Sequence, residues 1–512
     1  MREGKVTPGG RVTRSFYVGC LLALVLVAAL PVAAHVGSPD VYYEGDAGPY
    51  HLFVTVRVPQ VIPGIAQVEI RSRSNDVTQV GILALSLTGA GAKYPPSPES
   101  TQRSKEDPQF FTGNLWFMEF GSIQVRLRVD GIHGKAELSV PVPAISQRTL
   151  KMSSSLATIL FCLTIVLAFG AVAIATAAAR EAELVPGTKP AESDLRRARV
   201  VMVAASILCV ALLYGGKRWW DTEKAVANAN IYQIPRISGT LESGSRLLLS
   251  LQPTKTRTSE APRGWVNAAY MSDLIPDHNH LMHLFLIRLP RMDYFFHLHP
   301  TKTDDGQFML QLPDLPAGRY QIFADVVHQN GFPTTMVGEV ELPSISNQPL
   351  TGDNSEWDGA AISTGAKETT KSSLPDGTQM VWENPPTPLK SQRLIDFHFR
   401  VEYADGKPVS DLEPYMGMAA HAEFVRSDLS VFAHVHPSGS APMAAVELAQ
   451  AGLLPYGGQM QSMTSEMVMP TGPLPPEVSF PYGFPKAGDY RLFIQVKRQG
   501  RVETGVFDVR VE

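Results

Sequence analysis

Two short stretches of the chain place two histidines one residue apart, with a proline directly after them. They are YFFHLHPT at residues 294–301 and VFAHVHPS at residues 431–438. In a β-strand, side chains at positions i and i+2 share one face about 7 Å apart, so two imidazoles in this spacing can bind one metal ion. Because proline lacks an amide donor, each pair is expected near a strand end or edge. The chemistry indicated is metal coordination by imidazole, which suits copper and zinc.

Each pair also has an equivalent histidine upstream that could supply a third ligand from a neighbouring strand. The two predicted constellations are His283, His297 and His299 in the first unit, and His421, His434 and His436 in the second. The alternative interpretation is a polar strand face with local hydrogen bonds, which a single such pair would not distinguish from a metal site.

Weaker candidate ligands surround these constellations, as histidines in the first unit and methionines in the second. They are His278, His280, Met416, Met418, Met460, Met463, Met467 and Met469. Thioethers select Cu(I), so the second unit would suit Cu(I) and the first Cu(II) or Zn(II). Filling of gaps in the core is the alternative role for the methionines.

The motif recurs because the chain contains an internal duplication. SDLIPDHNHLMH (272–283) aligns without a gap with SDLEPYMGMAAH (410–421), and PAGRYQIFADV (316–326) aligns with KAGDYRLFIQV (486–496). In this alignment the first two histidines of the first unit, at positions 278 and 280, fall on methionines of the second. A copied domain explains the repetition of the motif but not its role.

The elements that must position these residues are predicted to be β-strands. Runs of alternating apolar and polar residues, separated by Gly, Pro, Asn and Ser, fill residues 35–150 and both duplicated units. This pattern predicts an all-β sandwich over residues 35–150 and β-rich domains in the two duplicated units.

The N-terminus has the features of a secretory signal. A basic stretch precedes an apolar run at residues 16–30, and small residues at Val32 and Ala34 suit signal peptidase. A signal peptide over 1–34 would leave His35 as the first mature residue, whereas an uncleaved anchor helix is the alternative.

A mature N-terminal histidine would offer an α-amine and an imidazole to Cu(II). His51, Asp130 and His133 could complete a site with His35 in the N-terminal domain. This prediction depends on cleavage of the signal peptide and on a fold that brings the four residues together.

Two further apolar runs predict transmembrane helices. The signal places residues 35–150 outside the cytoplasm, so the two spans put the loop between them inside and the HxHP units outside. That loop carries several arginines and a lysine, as the positive-inside rule prefers. Cys162 and Cys209 fall in these runs and Cys20 in the signal, so the outer domains have neither a disulfide nor a thiolate ligand. The net charge of −4, without a large basic cluster, argues against nucleic acid as a partner.

The predicted organisation is therefore all-β extracytoplasmic domains plus two transmembrane α-helices. In chain order it comprises signal peptide 1–34, N-terminal β-sandwich 35–150, helix 153–179, cytoplasmic loop 180–199, helix 200–216, first HxHP domain 230–343, flexible linker 344–377 and second HxHP domain 378–512. The predicted location is the cell (inner) membrane, with most of the chain on the periplasmic side.

The blocks MHLFLIRLPRMDYFFHLHP and LEPYMGMAAHAEFVRSDLSVFAHVHP, each with a downstream G-x-Y-x-x-F, resemble YtkA-like secreted domains of bacterial membranes. That resemblance covers most of 230–512 and implies an immunoglobulin-like sandwich and copper handling. The N-terminal domain is more distantly similar to periplasmic copper carriers of the CopC type, through the Asp130-Gly131-Ile132-His133 stretch, which has one residue more than their Asp-x-His.

The function expected first is a membrane-anchored metal-binding protein for copper buffering, resistance or delivery. Its partners would be the lipid bilayer and a membrane protein such as a metal transporter or an oxidase. One alternative is a metal-dependent enzyme on a cupin-like or sandwich scaffold, and another is an interaction module without metal.

Overall fold

The computed structural model describes residues 40–92, 94–185, 187–229, 231–242, 244–252, 271–365, 369–383, 385, 387–453 and 473–512. The predicted signal peptide, His35, Met460, Met463, Met467 and Met469 lie outside the described residues.

The N-terminal unit consists of two antiparallel sheets that share one buried core. Its strands are β1 (Val41–Ala47), β2 (Tyr50–Arg57), β3 (Gly64–Ser72), β4 (Val77–Ser86), β5 (Glu99–Ser100), β6 (Gln102–Arg103), β7 (Phe110–Phe117), β8 (Gly121–Gly131) and β9 (Gly134–Ala144), with a 3-10 turn at Ala90–Ala92. The sheet orders are β1-β2-β3-β7-β6 and β5-β4-β8-β9. Alternating apolar residues such as Val125, Leu127 and Val129 supply the core, as the sequence pattern indicates.

Two long helices follow, α1 (Ser154–Glu181) and α2 (Glu192–Ala229). Both are long and apolar enough to cross a membrane, and their apolar side chains are almost all exposed. The second helix exceeds the predicted 200–216 at both ends, because charged residues continue the helix beyond its apolar centre. It therefore includes part of the loop predicted at 180–199. At a rise of about 1.5 Å per residue it exceeds the roughly 30 Å hydrocarbon core.

The first HxHP unit is built on a 10-stranded sheet. Its strands are β10 (Arg236–Glu242), β11 (Arg246–Gln252), β12 (Leu274–Ile275), β13 (His283–Leu289), β14 (Tyr294–Leu298), β15 (Thr301–Lys302), β16 (Phe308–Gln311), β17 (Gly318–His328), β18 (Pro333–Leu342) and β19 (Ser355–Asp358). The order is β15-β16-β11-β10-β18-β17-β13-β14-β19, with β12 beside β17. Leu284, Leu286 and Ile322 lie in the core inside this sheet.

The second HxHP unit is a sandwich of a 4-stranded and a 5-stranded sheet. Its elements are β20 (Lys371–Ser373), β21 (Gln379–Glu383), β22 (Ile395–Glu402), β23 (Leu412–Glu413), β24 (His421–Arg426), β25 (Phe432–Val435), α3 (Met443–Ala451), β26 (Glu477–Tyr482), β27 (Gly488–Arg498) and β28 (Arg501–Val511). The sheet orders are β20-β21-β22-β26 and β23-β27-β24-β25, with β28 beside β27.

The segment 344–377, predicted to be a flexible linker, contains two strands. Ser355–Asp358 pairs with β14, and Lys371–Ser373 pairs with β21. Short polar strands at a sheet edge have no apolar alternation, so the composition of this segment concealed them. The linker prediction is wrong for these residues, and the second unit begins with β20 rather than at residue 378.

The two HxHP units pack against each other through equivalent aromatic residues. Phe295 stacks on Phe493 with ring centroids 4.1 Å apart. Phe432, which aligns with Phe295, stacks in the same way on Phe323 at 4.2 Å. Since Phe323 aligns with Phe493, each unit uses the same surface, as in a two-fold interface between identical subunits.

Replacement of Phe323 by alanine is expected to destabilise the protein, because it removes one of these two stacks from a fully buried site. Deletion of a buried phenylalanine side chain costs about 3–5 kcal/mol. The measurement is urea unfolding of the detergent-solubilised chain, with Ile65→Ala at an exposed position as the matched control. Equal unfolding free energies for the two variants would contradict the role given to the aromatic interface.

Candidate metal centre

A tight turn presents the first of the clustered histidines. Asp277 and His280 exchange two backbone hydrogen bonds of 2.9 Å, and the residues between them, His278 and Asn279, have φ values of 51° and 67°. Two successive positive φ angles define a type I′ hairpin turn, which histidine adopts only infrequently. The turn places the His278 ring 5.0 Å from that of His421 in the second unit.

The first predicted constellation is brought together as a compact trio. His283 begins β13, His297 lies in the neighbouring strand β14, and His299 follows that strand. Nδ1 of His283 lies 3.1 Å from Nε2 of His297 and 3.3 Å from Nε2 of His299. We call His283, His297 and His299 the first trio.

The outward-facing ring nitrogen of each member has an oxygen acceptor. His283 Nε2 lies 3.1 Å from the Asp277 carbonyl, His297 Nδ1 lies 2.9 Å from Gln495 Oε1, and His299 Nδ1 lies 3.2 Å from Asn354 Oδ1. A carbonyl oxygen can only accept, so each outward nitrogen carries the ring proton. The three inward nitrogens consequently present lone pairs to one another.

Three lone pairs directed at one point repel unless a cation lies between them. Histidines that bind metals usually have this arrangement, in which the second nitrogen donates to a carbonyl or carboxylate and thereby fixes the tautomer. The hydrogen-bonding pattern of the first trio is therefore that of a three-histidine metal site. Such sites leave a fourth coordination position open.

A second trio lies across the boundary between the units. It consists of His278 from the first unit and His421 and His436 from the second, whose nearest ring nitrogens lie within 4.8 Å of one another. Nε2 of His278, Nε2 of His436 and both ring nitrogens of His421 are buried without a hydrogen-bond partner among the described residues. The outward Nδ1 of His436 donates to the Ala441 carbonyl at 3.3 Å.

The second trio differs from the predicted set His421, His434 and His436. His434 is not one of its three members, although its ring centroid lies 4.6 Å from that of His436. Its Nδ1 lies 3.5 Å from the Asp325 carboxylate, and His278 takes its place in the trio. The reason is the packing of the two units, which carries the turn of the first unit onto the second. In the internal alignment His278 falls on Met416, and this difference between the units was the only sequence feature that set His278 apart. The prediction ranked His278 only as a weak candidate.

Burial keeps the imidazoles of both trios neutral. Desolvation, and then the neighbouring histidines, hold the pKa well below its ordinary value in His283, His297, His421 and His436. Burial also lowers the pKa of His299 to about 3. Neutral rings are the form that can bind a metal ion.

A buried acid adjoins the first trio from the second unit. Glu423 is fully buried, and neither carboxyl oxygen has a hydrogen-bond partner among the described residues. Its Oε1 lies 3.7 Å from Nδ1 of His297. Burial, and then the charge of Asp325, raise the pKa of Glu423 well above its usual range. The aligned residue of the first unit is Phe285, so the two sides of the cluster differ chemically.

The remaining weak candidates of the HxHP units have different surroundings. The His280 ring stacks on His299 at 3.8 Å, and its Nε2 lies 3.5 Å from Asp353. Met418 is buried in the apolar core shared with the N-terminal unit, where it fills space, and Met416 is also buried.

The N-terminal candidates are not brought together. Both ring nitrogens of His51 hydrogen-bond to carboxylates, Glu44 and Asp46, at 2.7 Å. The backbone amide of His133 donates to the hydroxyl of Tyr50, which neighbours His51 on β2. His51 lies on β2, whereas His133 lies in the hairpin between β8 and β9 of the other sheet.

The acidic candidate of this unit also has another partner. Asp130 lies 3.9 Å from Lys135 in the adjoining hairpin strand, and the His133 ring lies 3.9 Å from Asp76. The predicted set His51, Asp130 and His133 therefore does not form a site among the described residues.

Comparison with known proteins gives a family match of unknown function. A family model described as a domain of unknown function (DUF8832) matches residues 243–341 and 372–512, which covers most of both HxHP units. No curated protein matches the chain.

Solved structures give matches of low similarity. The FN1–FN3 domains of chicken CNTN1 are 7% identical, with 92% of this chain and 99% of that chain covered and a TM-score of 0.13. Latent PorU from Porphyromonas gingivalis is 9% identical, and the match covers 92% of this chain and 34% of that chain with a TM-score of 0.14. Salmonella alpha-2-macroglobulin is 10% identical, and the match covers 94% of this chain and 24% of that chain with a TM-score of 0.19. Scores this low do not establish a shared fold.

Acidification is expected to destabilise the metal-free protein. The buried histidines have pKa values below those of the unfolded chain, so the native state binds fewer protons and stability falls as the pH drops below about 6.5. Each such histidine contributes up to about 1.4 kcal/mol per pH unit in that range. Unfolding in the presence of a chelator between pH 8 and pH 5 measures this slope.

The matched comparison for the pH slope is His421→Leu against His398→Leu. His421 is fully buried, whereas the His398 side chain is half exposed, so only the first variant should flatten the pH dependence. Equal slopes in wild type and His421→Leu would show that His421 is not held neutral by burial.

Proposed function

We propose that this chain is a membrane-anchored metal-binding protein that holds copper in the two histidine trios, with zinc as the alternative ion. The observation that carries the proposal is the first trio, in which each outward ring nitrogen faces an oxygen acceptor and the inward nitrogens face one another. Imidazole ligands suit copper and zinc, and no cysteine competes with them in the HxHP units.

The packing of the three β-units supports one location for all of them. The amide of Tyr232, after the second helix, donates to the carbonyl of Ser146, before the first helix, at 2.8 Å. Glu44 of the N-terminal unit donates in the same way to Ser438 of the second HxHP unit. Since the two helices form a hairpin, the β-units would share one side of the membrane, and we place them on the extracytoplasmic side.

The physiological role that follows is buffering, resistance or delivery of copper to a membrane partner such as a transporter or an oxidase. A three-ligand site suits this role, because an incoming donor ligand can use the open fourth position. The resemblance to YtkA-like and CopC-type domains supports copper as the cargo, and immunoglobulin-like sandwiches as the scaffold.

The direct test is metal stoichiometry of the full chain in detergent after competition with copper and zinc. Wild type is expected to retain two ions, and His297→Ala and His421→Ala one each. His398→Ala, at a half-exposed position outside the cluster, serves as the control and should retain both. A wild-type protein that retains no ion would refute the proposed function.

The contribution of His278 to a trio of the other unit gives a second expected outcome. His278→Ala should lose the same ion as His421→Ala, although His278 belongs to the first unit, and the double variant should lose no more. Spectroscopy of the remaining copper ion would identify which site is left. A loss that instead matched His297→Ala would contradict the assignment of His278 to the second trio.

The hydrogen-bond acceptors around the first trio should tune its affinity. Gln495→Leu removes the acceptor of the His297 ring proton and is expected to weaken the first site about 10–100-fold, as loss of the hydrogen-bond partner of a metal-binding histidine generally does. Competition with a calibrated chelator measures the affinity. Gln321→Leu removes a buried amide that bonds to the Gly338 carbonyl in the first unit, and it should leave the affinity unchanged.

A further inference from the structure

A cleft of about 150 Å³ lies where the N-terminal unit and both HxHP units meet. Much of its wall is apolar and includes Ile145, Tyr232, Phe332, Ala441 and Ala445. Its polar lining includes two threonines, a serine, Asp40 and a group of histidines and acids, namely His280, His283, His434, His436, Asp277 and Asp325. The cleft therefore reaches members of both trios.

The cleft adjoins the connections to the two helices. Ile145 precedes the first helix and Tyr232 follows the second, and both line the cleft. If the helices span the membrane, this part of the wall lies close to the membrane surface.

His434 lies in the cleft lining and belongs to neither trio. Its ring centroid lies 5.3 Å from that of His283 and 5.6 Å from that of His297 in the first trio. It lies 5.5 Å from His421 and 4.6 Å from His436 in the second. A single imidazole is therefore almost equally distant from both trios.

The donor atoms of His434 and its neighbour are free for a cation. Nε2 of His434 and Oδ1 of Asp325 are both buried without a hydrogen-bond partner among the described residues. The carboxylate of Asp325 lies 3.5 Å from Nδ1 of His434, and the His434 side chain is 6% exposed. A carboxylate beside an imidazole attracts a metal cation more strongly than an imidazole alone.

The pseudo-two-fold partner of this pair is chemically different. His297 aligns with His434 and Gln495 aligns with Asp325, so the equivalent pair has a neutral amide in place of the carboxylate. Neither His297 nor Gln495 lines the cleft, and both are fully buried. The asymmetry puts the charged pair on the side of the cluster that the cleft reaches.

We propose that the cleft is the entry route for the metal ion, and that His434 and Asp325 receive the ion there and pass it to either trio. This inference rests on the proposed function. The transfer exchanges one donor ligand for another, so the ion keeps its oxidation state and no proton or electron need be supplied. The donor of the ion would be a membrane-associated carrier that releases it near the helix connections.

A blocked cleft provides the first arm of the test. Thr335 lines the cleft on the strand next to Asp325, and Thr335→Cys can be labelled with a bulky maleimide after the native cysteines are replaced by serine. The probe is zinc delivered from a coloured chelator. The colour change as the chelator releases zinc to the protein gives the loading rate. The label is expected to slow loading at least tenfold and to leave the final stoichiometry at two.

The control is the same label on Gln79→Cys, an exposed position of the N-terminal unit, which should load at the unlabelled rate. Asp325→Asn provides a second arm that adds no bulk. It reproduces the neutral side chain of the aligned position and should slow loading several-fold without loss of either ion.

The outcomes separate this inference from the proposed function. Equal loading rates with and without the label at position 335 would overturn the route, while two bound ions would leave the proposed function standing. A chain that never retains zinc or copper would overturn both.

Discussion

The packing of the two HxHP units against each other is the constraint on which the rest of the structure depends. Equivalent phenylalanines stack reciprocally across the boundary, at 4.1 Å and 4.2 Å. The same surface continues from these rings to the histidines at the ends of β13, β14, β24 and β25. Because the apolar contact fixes the relative position of the units, it also fixes the distance between their imidazoles. One unit alone would supply the first trio but not the second.

The cluster carries an energetic cost that apolar packing must offset. A buried polar group without a partner costs about 1–3 kcal/mol, and within the described part of the chain His421 and Glu423 each have two such atoms. A core selected for stability alone would avoid such groups. Their concentration at one place, beside a trio with ordered outward hydrogen bonds, is the arrangement expected of a ligand site. A bound cation would recover part of this cost and would link the units more tightly.

Local patterns in the sequence predicted a substantial part of the architecture. The alternation of apolar and polar residues predicted the strands, and the length of the apolar runs predicted both helices. Alignment of the chain with itself revealed the duplication. The first trio was also predictable, since His283, His297 and His299 are close in sequence and belong to adjacent strands of one unit. The histidine spacing thus contained enough information to assemble these three residues without knowledge of the rest of the fold.

Features that depend on distant parts of the chain could not be predicted in this way. His278 joins the second trio only through the relative orientation of the two units, which no local pattern encodes. The strand Ser355–Asp358 is short, and it is held by pairing with the edge of β14 and by the contact of Trp357 with Phe493, both of which are distant in the sequence. In the N-terminal unit, the proposed ligands His51 and His133 looked compatible in sequence but belong to different sheets, and His51 bonds to Glu44 and Asp46 instead.

The central claim is that two metal ions lie between the duplicated units, one in each trio. The most direct measurement is a crystal structure of the copper-loaded protein, with anomalous diffraction recorded on both sides of the copper absorption edge. The account predicts two anomalous peaks, one within His283, His297 and His299 and one within His278, His421 and His436. Copper peaks only at exposed histidines such as His398, or none at all, would contradict it.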